Sequence, residues 1–191
     1  MLQSYYNATA VEAGLDEVGR GCLAGPVVAA AVVLPKDYSH PLLNDSKQLT
    51  KTQRLALEIE IKTHALGWAI AEVSARQIEQ INILKASFLA MHRAVDQLVL
   101  RPEHLLVDGN RFVPYPHVPH TCIVKGDTKF LCIAAASVLA KTYRDQLMAR
   151  LADEFPHYDW ARNAGYPTPS HRRGIAAFGP CVHHRATFKL L

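Results

Sequence analysis

At 191 residues, 49% of them hydrophobic, the chain is long enough to bury a core as one domain. Its net charge of +4 favours anionic partners only mildly, and its four cysteines at 22, 122, 132 and 181, with no C-x-x-C pair, argue against a zinc site or a disulfide scaffold and fit a reducing compartment. The apolar runs are too short to cross a bilayer and no signal peptide precedes Tyr5, so a soluble cytoplasmic protein is expected.

Residues 11–15 read as a strand that leads into Asp16-Glu17-Val18-Gly19-Arg20-Gly21-Cys22-Leu23-Ala24-Gly25-Pro26, two acids joined to a glycine-rich loop. The loop reads either as a ligand cradle with hard oxygen donors beside it or as a tight turn with two solvated carboxylates. Gly19-Arg20-Gly21-Cys22-Leu23-Ala24 also matches the dinucleotide fingerprint G-x-G-x-x-G/A, which must open a helix. Here Gly25-Pro26 breaks the chain and 27–34 is another buried strand, so no helix N-terminus meets a pyrophosphate.

Next comes the polar loop containing Asn44, Ser46 and Lys47, followed by Thr50-Lys51-Thr52-Gln53, a capping box that starts a helix running towards Gly67. Ser46 and Lys47 can hold a phosphate near that helix start, or the loop is simply solvated. Residues 67–73 form a third strand and close an antiparallel set of three. Ser74-Ala75-Arg76-Gln77 is a second capping box and Asn82 a further cap, so two helices follow, the second reaching about Leu100 with Ile83, Leu84, Phe88, Met91, Val95 and Leu98 on its core face. His92 and Arg93 read as a solvated or packed face.

Residues 104–108 form a strand buried on both faces, with Asp108 at its carboxyl end, where open α/β sheets place functional groups; alternatively Asp108-Gly109 only makes a turn. Pro114, Pro116 and Pro119 make 112–120 a loop. A fifth strand over 121–125 ends in Gly126-Asp127, and an alanine-rich helix spans about 130–155, its Lys141, Arg144 and Arg150 forming a basic face or Arg144 pairing with Asp145. The last stretch is irregular and aromatic before a short helix over 170–178. His171, Arg172, Arg173, His183, His184 and Arg185 there suit a nucleic-acid surface or, alternatively, a packed C-terminal cap.

Asp16-Glu17, Asp108 and Asp127 each fall at a predicted strand end. Neighbouring residues of a straight strand face opposite ways, so Asp16 and Glu17 share one site only if the chain bends near Gly19. Four carboxylates without histidine or cysteine select a hard cation, Mg²⁺ or Mn²⁺, and two such ions would suit phosphodiester hydrolysis.

The chain resembles the ribonuclease HII family through Asp16-Glu17-Val18-Gly19-Arg20-Gly21 with Leu23-Ala24-Gly25-Pro26, Asn44-Asp45-Ser46-Lys47, Val107-Asp108-Gly109-Asn110, Val124-Lys125-Gly126-Asp127, the run from Ala134 to Lys141, Gly165-Tyr166 and His184-Arg185. The resemblance implies an α/β, ribonuclease H-like fold: one domain over 1–191 with a mixed five-stranded sheet flanked by helices, and a small helical C-terminal segment, 156–191, that binds substrate. It implies a metal-dependent endonuclease that cuts RNA in RNA/DNA hybrids and single ribonucleotides in duplex DNA, leaving 5′-phosphate and 3′-hydroxyl ends. By that likeness Asp16, Glu17, Asp108 and Asp127 are the catalytic, metal-binding acids, with Mn²⁺ or Mg²⁺ as cofactor. Substrate binding falls to Gly19, Arg20, Gly21, Asn44, Ser46, Lys47, Lys141, Tyr166 and Arg185; the Gly19–Arg20–Gly21 run reads the 2′-hydroxyl and Tyr166 packs on the sugar at the RNA-to-DNA junction.

Cys22 stands where the family often has proline, Thr128-Lys129-Phe130 fits no assigned pattern, and Ala164 replaces a frequent lysine. The partners expected are RNA/DNA hybrid and ribonucleotide-containing DNA, with no membrane and a monomeric state; the sequence supports no protein partner, as the chain stops soon after Phe188 and lacks a tail to carry a clamp-binding motif. Two other classes compete: a non-catalytic nucleic-acid-binding module, and a nucleotide-cofactor enzyme using the glycine loop.

Overall fold

A computed structural model describes residues 2–43 and 49–191. Five strands form one sheet in the order β3-β2-β1-β4-β5: β1 Glu12–Val18, β2 Val27–Val33, β3 Gly67–Val73, β4 His104–Asp108 and β5 His120–Ile123. The first three pair antiparallel, and β4 and β5 run parallel to β1. The expected mixed sheet is therefore present, and the parallel trio brings the ends of β1 and β4 to one edge.

Strand parity divides the core. Ala13, Leu15, Ala29, Ala31, Leu105 and Val107 face helix α3 (Ile83–Asp96), while Val28, Ala30, Val32 and Leu106 face helix α4 (Leu131–Glu154). Helix α4 lies close because Gly14 has no side chain. A Cβ built there would stand 2.2 Å from the Cys132 carbonyl carbon, so the helix backbone rests directly on β1.

The caps act where the side chains dictate. Thr50 with Gln53 opens α1 (Lys51–His64), and Ser74 with Gln77 opens α2 (Ala75–Ile81), each by a reciprocal capping box; Asn82 Oδ1 accepts from Lys85 N–H to open α3. Helix α3 stops at Asp96, short of the expected Leu100. Strand β5 is shorter than its apolar run, because Lys125 turns left-handed (φ 55°) and starts a single 3₁₀ turn, Gly126–Thr128. After α4 come another 3₁₀ turn at Pro156–Tyr158 and a short helix α5 (Trp160–Asn163), neither of which periodicity disclosed, then α6 (Pro169–Phe178). Among the described residues no helix is long and apolar enough to cross a membrane.

Candidate active site

The acids converge without any bend in β1. Asp16 lies opposite Ala30 on the α4 face and Glu17 opposite Ala29 on the α3 face, so the pair straddles the end of the strand and the site wraps around it. The expected requirement for a bend is thus corrected: β1 continues to Val18, and Gly19 turns the chain only beyond it, at φ 95°. Asp108 ends the neighbouring parallel strand, and its Oδ1 accepts from Gly126 N–H at 2.7 Å. That bond fixes the 3₁₀ turn holding Asp127, which is a turn residue rather than a strand-end one and is only 1% exposed.

All four acids line one cavity of about 450 Å³, together with Gly19, Arg20, Gly21, Lys141 and Tyr166. Two polar side chains of this cavity, Arg54 and Ser137, have no role assigned from the sequence. Arg54 projects from α1, and its guanidinium and the Lys141 ammonium hold opposite oxygens of Asp145 at 3.2 and 2.6 Å. Ser137 of α4 hydrogen-bonds Asp16, and Asp145 itself is the tie between two basic residues.

Electrostatics set the acids apart from ordinary surface carboxylates. Burial first, then the charges of Glu17 and Asp108, push the Asp16 carboxyl well above its usual range, against hydrogen bonds from Ser137 and the Glu17 amide. Glu17 is also raised by burial, but the Arg20 guanidinium, 3.0 Å from Oε1, opposes the shift. Among the described residues no three histidine, cysteine or acidic side chains are gathered closely enough to hold an ion. Glu17 is drawn to Arg20 and Asp108 to Gly126, and like charges resist closer approach.

Two buried guanidiniums hold the glycine loop from behind. Arg144 donates to the carbonyls of Pro26, Ala164 and Ala24 at 2.9, 2.7 and 3.0 Å. Arg185 donates to those of Gly25, Arg20 and Gly19, its shortest bond 2.7 Å, and burial brings its pKa down to about 10. Both are completely buried, which corrects two expectations: Arg144 belongs neither to a solvated basic face nor to a pair with Asp145, and Arg185 reaches a ligand only through the loop it fastens. Carbonyls turned inward by a tight loop supply acceptors that replace an acidic partner.

The C-terminal segment completes the wall. Leu23 N–H donates to Gly165 O at 2.8 Å and Gly25 N–H to His183 O at 2.9 Å, and a Cβ on Gly165 would stand 2.6 Å from Ala24 O. Tyr166 is thereby set at the cavity beside Cys22, with Lys141 Nζ 5.8 Å from its ring centroid. His171 and His184 are buried and Arg172 donates to the Lys189 and Leu190 carbonyls, so these residues pack as in the alternative reading, while Arg173 stays exposed. Asn44, Ser46 and Lys47 lie outside the described residues.

Gly21 differs from the other loop glycines. A Cβ built on it meets nothing within 4 Å, and its φ is not positive, so the fold itself does not require glycine there. It lines the cavity, and a side chain would project into space that a ligand needs.

The family model described as Ribonuclease HII matches residues 13–191. The ribonuclease HII of Bacteroides thetaiotaomicron is 62% identical over 191 residues, covering 100% of this chain and 96% of that protein. Among solved structures, the ribonuclease H2 of Pyrococcus horikoshii superposes with a TM-score of 0.78 at 23% identity over 94% of each chain. The ribonuclease HII in a PCNA complex from Archaeoglobus fulgidus gives 0.74 at 26% identity, over 95% of this chain and 96% of that one. A Bst ribonuclease HIII described in complex with Mn²⁺ shares the fold, with a TM-score of 0.65 at 19% identity over 94% of this chain and 67% of that one.

Proposed function

The chain belongs to the ribonuclease HII family and is an endoribonuclease, and we propose that it hydrolyses RNA in RNA/DNA hybrids and cuts at single ribonucleotides in duplex DNA, using a divalent metal ion. The observation that carries this reading is the convergence of four acids and the Gly19–Arg20–Gly21 backbone on one cavity. A nucleotide-cofactor enzyme is disfavoured, because Gly25-Pro26 leads into β2 and not into a helix. A purely binding module would gain nothing from carboxylates that burial and mutual repulsion have made costly to ionise.

The donor set suits a hard divalent cation such as Mg²⁺ or Mn²⁺, since it consists of carboxylates alone, and a bound cation would offset the burial and the mutual repulsion that raise Asp16 and Glu17. Asp16, Glu17, Asp108 and Asp127 would hold it, and when bound it supplies an activated water and stabilises the leaving oxygen. Ser137 and the Glu17 amide orient the Asp16 carboxylate for that work. Lys141 and Arg54 set positive charge on one flank for the strand's phosphates. The open space at Gly21 lets the loop backbone approach a ribose closely, where the 2′-hydroxyl distinguishes RNA from DNA. Tyr166 offers a ring to the next sugar on the 3′ side.

Four free cysteines fit work in a reducing compartment such as the cytoplasm. The test is a labelled DNA duplex with one ribonucleotide, set beside its all-DNA counterpart, with Mg²⁺, Mn²⁺ or EDTA. Metal-dependent cutting of the first duplex alone, leaving 5′-phosphate and 3′-hydroxyl ends, is expected. Cutting of both, or cutting that survives EDTA, would contradict the proposal.

A further inference from the structure

A second cavity, of about 320 Å³, opens on the other side of the acids. Glu17, Arg20 and Asp108 line both cavities, so the two form one groove that passes over the end of β1 and β4. Its far half is chemically distinct. Leu84, Phe88 and Met91 of α3 make an apolar wall, and the turn after β4 adds Asn110 and Arg111, both exposed. The Phe88 ring is braced edge-on by Phe112, with centroids 6.0 Å apart at 84°, so the wall is held rather than loose.

The geometry points to this second cavity as the subsite for the nucleotide immediately 5′ of the scissile phosphate, the one released with the 3′-hydroxyl. The inference rests on the nuclease reading above and fixes a direction within it. Tyr166 lines the first cavity and not the second, so with Tyr166 on the 3′ side, as proposed above, a strand crossing the acids leaves through the second. A deoxyribose presents an apolar face and its phosphate an anion. Phe88 and Leu84 match the first and Arg111 the second, within a volume suited to one nucleotide and not to a base pair. Arg20, paired with Glu17 at 3.0 Å, stands between the two halves and leaves Arg111 as the cation of the far one.

The test compares wild type with Arg111→Ala and Phe88→Leu on two duplexes, each with one ribonucleotide. The first has ordinary phosphates; the second carries a neutral methylphosphonate in place of the phosphate one nucleotide 5′ of the scissile one. Arg111 is exposed, so its truncation leaves the fold intact, and Phe88→Leu keeps an apolar side chain against Phe112. Wild type should lose kcat/KM on the methylphosphonate duplex. Arg111→Ala should show a comparable loss on the ordinary duplex, with no further loss on the other. Its plot of log kcat/KM against log salt should be shallower by about one, the signature of a single lost phosphate contact. Phe88→Leu should raise KM on both duplexes. Losses that multiply between Arg111→Ala and the methylphosphonate, or that couple instead to a methylphosphonate in the complementary strand, would overturn the assignment alone. A wild-type protein that leaves the ordinary duplex uncut would overturn it together with the nuclease reading.

Discussion

Protonating His184 should unfasten the C-terminal segment that carries Tyr166. His184 Nδ1 accepts from Cys181 N–H at 2.9 Å, so its proton sits on Nε2 and is donated to His171 Nε2 at 3.1 Å. His171 Nε2 also accepts from Trp160 Nε1–H at 2.9 Å, and its Nδ1–H is donated to the Tyr166 carbonyl at 2.9 Å. Every ring nitrogen is committed in the neutral form, so a further proton must break a bond. Burial first, then His171 and His183, lowers the His184 pKa to about 4. Against an unfolded value near 6.5, that gap is worth about 3 kcal/mol, at about 1.4 kcal/mol per pH unit. Above pH ~6.5 the ring is neutral in both states and the contribution is whole; as pH falls towards ~4 the unfolded chain takes up a proton that the folded chain refuses, and stability is lost. His171, also lowered by burial, acts in the same direction. Asp16 and Glu17, raised by burial, act in the opposite one, but equally in wild type and in a His184 variant. Urea denaturation of metal-free wild type and His184→Asn between pH ~7.5 and ~4 isolates the difference. The variant should start less stable, and the gap should close by about 3 kcal/mol across that range. Parallel curves would refute the hydrogen-bonded chain as the cause.

Three further outcomes follow from the geometry. Gly14→Ala drives a methyl into the Cys132–Ile133 backbone and should cost at least the ~3 kcal/mol at the upper end of overpacking penalties, read as a lower urea midpoint with unchanged slope. Arg185→Lys keeps the charge but cannot span the carbonyls of Gly19, Arg20 and Gly25; urea titration should show a loss of about 2 kcal/mol and kcat/KM should fall, whereas an unchanged midpoint would deny the clamp. Tyr166→Ala should lose a stacking contact of about 1 to 3 kcal/mol on a duplex with one ribonucleotide and less on a long hybrid, where other 2′-hydroxyls contribute; equal losses in kcat/KM would remove the junction role.

The sheet was legible because its strands are short apolar runs bounded by glycine and proline, and the first three helices because Thr50, Ser74 and Asn82 announce them. The acids were legible as strand-end residues, although Asp127 needed the left-handed Lys125 to reach its turn. Parity, which seemed to forbid Asp16 and Glu17 from sharing a site, instead places the site around the strand's end. The guanidinium clamp was hidden for a different reason. Arg144 and Arg185 find their partners 120 and 166 residues away, at carbonyls that any sequence supplies, so nothing local distinguishes them from solvated cations. Arg54 was missed likewise, as its place at the cavity depends on how α1 crosses α4 to meet Asp145.

The central claim is that these four acids, loaded with metal, cut at a ribonucleotide. It is tested most directly by stripping wild type, Asp16→Asn and Asp108→Asn of metal, adding back Mn²⁺, and following single-turnover cleavage of a DNA duplex with one ribonucleotide, with circular dichroism as a check on folding. Wild type should regain full cleavage at that one position, while both variants, folded, stay nearly inactive because each has lost a charge that holds the ion. Wild-type rates in either variant, or a stripped wild type that cuts as fast as the reloaded one, would contradict it.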